Sequence, residues 1–136
     1  MKAIAALSLL VLCACGDGRT PALTRFSLDG QAEDSPLVLL LSLDFEDDVG
    51  DLAAGRLDTF INQRATSVGS LDLLPIFLRS DVEPDALSGS LHFVLELSFS
   101  DGPPANGTTF TLGARATDGA GNVSDMQEIK LSLESQ

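Results

Sequence analysis

Apolar residues recur at every second position through most of this chain, and that period belongs to strands. Leu91, Phe93, Leu95, Leu97 and Phe99 share one face, while His92, Val94, Glu96 and Ser98 share the other. This alternation predicts a half-buried strand. Phe110, Leu112, Ala114 and Ala116 alternate with Thr111, Gly113, Arg115 and Thr117, and Ile129, Leu131 and Leu133 alternate with Lys130, Ser132 and Glu134. Leu37, Leu39, Leu41, Leu43 and Phe45 make a fourth apolar face, thickened by Val38 and Leu40. A strand apolar on both sides is expected at the centre of a sheet. Weaker strands are expected at 23–29, 56–63 and 71–78. The last should be an edge strand or contain a break, because Pro75 has no amide proton to give a ladder. The best helical window, 49–57, is short and carries Gly50 and Gly55.

Turn signals separate these runs: Asp29-Gly30, the stretch from Gly50 to Gly55, Val68-Gly69, Ser88-Gly89, Asp101-Gly102-Pro103-Pro104 and Asn106-Gly107. Seven short strands with turns between them predict an all-β, seven-stranded sandwich over residues 23–136. No repeat of fixed period is present. Phe is the only large aromatic, with Trp and Tyr both absent, so the core should be mostly Leu with a few Phe.

The amino terminus follows a different pattern. Met1 and Lys2 precede an almost wholly apolar run, Ala3 to Leu12, and then Leu12-Cys13-Ala14-Cys15. The run is too short to span a membrane, which takes about 20 residues. Cationic start, apolar run and small residues together read as a secretory signal peptide over residues 1–14. Its end resembles a bacterial lipobox. The resemblance implies cleavage before Cys15, a diacylglycerol on the Cys15 sulfur, and acylation of the new amine. Two or more acyl chains hold a protein firmly, where one holds it marginally. With Cys13 removed and Cys15 alkylated, no disulfide is expected. Residues 15–22 then form a tether, and seven extended residues reach at most about 25 Å.

Charge narrows the partners. The chain has 8 Lys and Arg against 20 Asp and Glu, a formal net charge of −12, and loss of Lys2 makes it more acidic still. Phosphate backbones need Lys and Arg, so nucleic acid is not an expected partner. Anionic headgroups repel such a domain, which leaves the lipid on Cys15 as the membrane attachment.

The residues Phe110-Thr111-Leu112-Gly113-Ala114-Arg115-Ala116-Thr117-Asp118-Gly119-Ala120-Gly121-Asn122-Val123-Ser124 resemble the F strand and F–G turn of bacterial immunoglobulin-like and fibronectin type III-like domains. The segment from Ala86 to Phe99 resembles their E strand. The resemblance implies an immunoglobulin-like sandwich and no particular activity. Phe110 stands where that family often has Tyr, so no tyrosine-corner hydroxyl bond forms, and the Trp-centred core and inter-sheet disulfide are missing too. Gly119 and Gly121 permit positive φ, and Asp118 and Asn122 can bond nearby amides and hold the turn.

Candidate chemistry rests on carboxylates. Asp44, Glu46, Asp47, Asp48 and Asp51 cluster after the second strand. In an immunoglobulin-like order this loop shares a pole with Asp81, Glu83 and Asp85 and with Asp118, Asn122 and Asp125. Calcium takes six to eight oxygens, which such loops supply; the candidate ligands are Asp47, Asp48, Asp51, Asp118, Asn122 and Asp125. No EF-hand spacing is present. His92 is the only histidine and falls on a polar face; no nucleophile-elbow motif accompanies it. Asn106 and Asn122 head glycosylation sequons and read as turn residues. No catalytic residues and no obligatory cofactor are assigned.

The reading is a non-enzymatic envelope lipoprotein, a binding or structural module at the cell surface or periplasmic face, meeting an envelope protein or a glycan. Contact would be made by the loops at one pole or by an exposed edge such as 71–78. Alternatives are a carbohydrate-binding or Ca²⁺-dependent adhesion module and, more remotely, a hydrolase. Gly16 rather than Asp after the lipidated cysteine favours the outer membrane over the inner by the enteric sorting rule.

Overall fold

The alternating runs fold as strands whose apolar faces meet. The computed structural model describes residues 20–99, 104–105 and 107–132. The expected signal peptide, Cys15, the tether up to residue 19 and Asn106 lie outside the described residues. In chain order the elements are β1 (Ala22–Ala32), β2 (Ser35–Glu46), a 3-10 turn (Leu52–Ala54), β3 (Arg56–Ile61), β4 (Arg64–Ala65) and β5 (Leu71–Asp72). There follow α1 (Leu73–Arg79), β6 (Ser88–Glu96), β7 (Thr109–Thr117) and β8 (Gln127–Ser132). The chain is mostly β, in two antiparallel sheets. One has the order β1-β2-β6; the other has the order β4-β3-β7-β8, with β5 also paired to β3.

The doubly apolar run is indeed central: β2 lies between β1 and β6, in register Leu39↔Leu95, Leu41↔Phe93 and Leu43↔Leu91. Its odd positions face Leu57, Phe110, Leu112, Ala114 and Ala116 of the other sheet, all buried in one core. Burying each Leu or Phe contributes about 1.5–3 kcal/mol. Phe26 stacks on Phe93 at 6.4 Å, and Phe99 meets Phe110 edge-on at 6.0 Å. Thr59 is a polar residue buried between the sheets. Its hydroxyl is satisfied by Thr66 Oγ1 at 2.7 Å.

Three expectations are corrected. The segment 71–78 is not a strand beyond β5; it is the helix α1. Leu73, Ile76 and Phe77 have the i, i+3, i+4 spacing of a helical stripe and are buried. Pro75 falls in the first turn, where an amide has no intrahelical partner to lose. Eight strands occur among the described residues; β4 is the additional one, and β4 and β5 are only two residues long. Asp29-Gly30 is not the first hairpin turn. The register shifts between Leu28 and Gly30, a bulge that lets β1 run on to Ala32 before the chain turns at Glu33-Asp34. Finally, the 56–63 run ends at Ile61. Asn62 and Gln63 take φ of 50° and 69° and turn the chain into β4. Asn tolerates that region, and its Oδ1 accepts the Thr111 amide at 3.0 Å.

One end of the sandwich collects loops 47–55, 80–87 and 118–126. The Asp47 amide donates to the Leu87 carbonyl at 2.7 Å, and the Gly119 amide donates to the Asp51 carbonyl at 3.0 Å. Gly55 is required by proximity, since a Cβ there would collide with the Thr117 carbonyl. Ala22 pairs with Glu46, so the chain also enters at this end. Among the described residues no helix is long and apolar enough to cross a membrane.

Candidate metal centre

The motif that ends β7 builds its own turn. Asp118 Oδ1 accepts the amides of Ala120 (3.0 Å) and Asn122 (2.8 Å), and its Oδ2 accepts Asn122 Nδ2 at 3.1 Å. Ser124 Oγ accepts the Ala116 amide at 2.9 Å and donates to the Asp125 carbonyl at 3.0 Å. Asp118, Asn122 and Ser124 are all buried. Gly121 has a φ of 92°, whereas Gly119 serves by absence of bulk: a Cβ there would sit 2.9 Å from the Ala54 Cβ.

The preceding loop is folded on a second aspartate. Asp47, 2% exposed, accepts the Asp51 amide at 2.9 Å through Oδ2 and the Val49 amide at 3.3 Å through Oδ1. This curls residues 47–51 back toward β7. The result is that Asp47, Asp51 and Asp118 each bring a carboxylate oxygen within 4.8 Å of the others. Asp51 Oδ1 is buried with no hydrogen-bond partner. Burial, then the negative charge of Asp118, then hydrogen bonding to and charge on Asp47 push the Asp51 carboxyl above its ordinary range.

Of the six residues predicted from sequence, the structure therefore brings three carboxylates together, with Asn122 bonded behind Asp118. Asp48 and Asp125 are exposed and stand outside that group. The size fits a calcium ion. Oxygens bound at 2.3–2.6 Å around one ion lie no more than about 5 Å apart. Asp118 Oδ2 accepts one hydrogen bond and keeps a second lone pair for a metal, whereas Asp118 Oδ1 already accepts two.

His92 is exposed on the outer face of the first sheet. Its Nδ1 lies 2.8 Å from Ser42 Oγ, and that hydroxyl also donates to Asp29. The serine stands between acid and imidazole, with 3.9 Å from His92 Nδ1 to Asp29 Oδ2. A catalytic relay needs the imidazole in the middle. Sequence reasoning left out Ser42 and Asp29 because the bulge in β1 decides which way Asp29 points.

No protein-family model matches this chain, and no curated protein matches it. Among solved structures, the chain is similar to the crystal structure of the Clostridium perfringens spore cortex lytic enzyme SleM. Identity is 16% and the TM-score 0.47, over 84% of this chain and 28% of that one. The chain thus spans a little over a quarter of the length of that enzyme.

Proposed function

We propose that this protein is a non-enzymatic lipoprotein of the cell envelope, a lipid-tethered immunoglobulin-like module that binds an envelope protein or glycan. The sequence Leu12-Cys13-Ala14-Cys15 carries the reading. Support for the immunoglobulin-like part comes from the strand order. The β1-β2-β6 sheet facing β3-β7-β8, extended by a short β4, agrees with the strand order expected of the fibronectin type III branch. In this reading β4 stands where that branch has C′, and α1 fills the place of a further edge strand. With outer-membrane delivery the module faces the cell surface or the periplasm. The test is direct. Mass spectrometry of the native protein is expected to find a lipidated amino terminus at Cys15, and Cys15→Ser is expected to move the protein from the membrane to the soluble fraction. An intact, unmodified amino terminus at Met1 overturns the address.

A second reading, Ca²⁺-dependent adhesion, is favoured by the orphaned Asp51 Oδ1 among three carboxylates. A divalent cation supplies the charge that this trio lacks. Because the tether enters β1 beside Glu46, the same cation would relieve repulsion between this pole and anionic headgroups. Millimolar Ca²⁺ is therefore expected to bring the tethered domain closer to anionic liposomes, read by fluorescence quenching from the headgroups. Quenching that is identical in chelator sinks this second reading.

A further inference from the structure

On the outer face of the second sheet, β3, the turn after β4 and β7 line a cleft of about 490 Å³. Side chains alternate along a strand. Arg56, Asp58 and Phe60 of β3 therefore stand on the face away from the core. Arg115 of β7 stands beside them, in register with Asp58. The Arg115 guanidinium lies over the Phe60 ring, 4.9 Å from its centroid. That contact orients the group without using its N–H donors. Its Nε is buried and has no acceptor. Asp58 does not supply one, being engaged instead by Ser70 Oγ and by Arg56 Nε at 3.9 Å.

We propose that this cleft binds the carboxylate group of a small ligand, taken by Arg115 with Arg56 alongside. A planar guanidinium presents its donors as a fork, which two coplanar carboxylate oxygens match. Charge selects a monoanion. The chain carries −12 overall and Asp58 lines the same cleft, so a dianionic phosphate meets more repulsion than a carboxylate. The face of Phe60 is already covered by Arg115, so ring stacking on it is not the basis of recognition. The site gives the binding-module reading a ligand class and needs no lipid on Cys15, so failure of the anchor and failure of this site are separate results.

The experiment titrates the full chain, in neutral detergent, with D-glucuronate and with N-acetylglycine. Each is compared with its uncharged counterpart, D-glucose and N-acetylglycinamide, and with inorganic phosphate. At least one acid is expected to bind ten-fold or more tightly than its counterpart and more tightly than phosphate. Which acid does so distinguishes a sugar acid from a peptide-type carboxylate. Arg115→Gln is expected to weaken it ten-fold or more. Arg115→Lys, which keeps the charge and loses the fork, should weaken it nearly as much. Asp58→Asn is expected to tighten binding several-fold, a gain that no folding defect produces. Equal binding of acid and counterpart, phosphate bound at least as tightly as both acids, or unchanged binding by Arg115→Gln overturns the proposal.

Discussion

Phe77→Ala is expected to remove about 3–5 kcal/mol of unfolding free energy, the usual cost of emptying a fully buried phenylalanine site. Phe77 is 0% exposed and packs on Phe45 with ring centroids 5.1 Å apart. It lies on α1, whose seven residues are far too few to be helical alone. The helix exists because Leu73, Ile76 and Phe77 plug the sandwich beside β6. Removing the largest of the three opens a cavity and releases the helix together. Leu78 is the control. It sits on the same helix but is 59% exposed, so Leu78→Ala should cost under about 0.5 kcal/mol. Helix propensity barely changes in that variant, since Ala and Leu are both good formers. Urea unfolding of the two variants checks the contrast. Equal losses would mean that α1 does not plug the core.

How the sequence spoke about this fold depends on which residues carried the signal. The long runs at β6 and β7 were legible because one face of each is polar and the other apolar, so only a period of two fits them. Residues 71–78 were not. Leu-Asp-Leu-Leu-Pro-Ile-Phe-Leu is nearly all apolar, and a continuous apolar run does not distinguish strand from buried helix. What decides it is tertiary: the space beside β6 accepts a helical stripe. Asp29-Gly30 misled for a related reason. Gly suits a turn and a bulge equally, and the strand pairing of β1 with β2 selects the bulge. At the pole, residue types announced acidity, but not which acids converge. Asp47 joins the group because its own loop closes on it, and Asp118 because the turn it caps holds it there. Asp48, next in sequence to Asp47, points to solvent. The cleft under Arg115 was invisible in one dimension, because Asp58 and Arg115 become neighbours only through the β3–β7 register.

Two of the three clustered aspartates, Asp118 and Asp51, should respond to substitution with opposite signs. Asp118→Ala is expected to cost about 3 kcal/mol, because two amides and the Asn122 side chain lose a charged acceptor within a buried turn. Asp51→Asn is expected to stabilise the metal-free protein by about 1 kcal/mol, by removing a carboxylate that its neighbours repel. The pH dependence separates the two further. Because the Asp51 carboxyl is raised in the folded state, the native protein holds that proton more tightly than the unfolded chain does. Stability from this group therefore increases as pH falls through the raised folded value and is complete below the ordinary Asp value of about 3.9. It is lost again as pH rises. Asp51→Asn should abolish that slope while leaving the turn intact. Calcium works in the opposite direction, since it needs the carboxylate deprotonated. At a hundred-fold excess over its dissociation constant, the ion would add about 2.7 kcal/mol to the wild-type protein. It should add far less to Asp51→Asn, which keeps one neutral oxygen in place of the carboxylate. Thermal unfolding across pH, with chelator or with Ca²⁺, reads all of these at once. A wild-type midpoint that ignores Ca²⁺ while Asp118→Ala still collapses would leave the aspartates as turn architecture and nothing more.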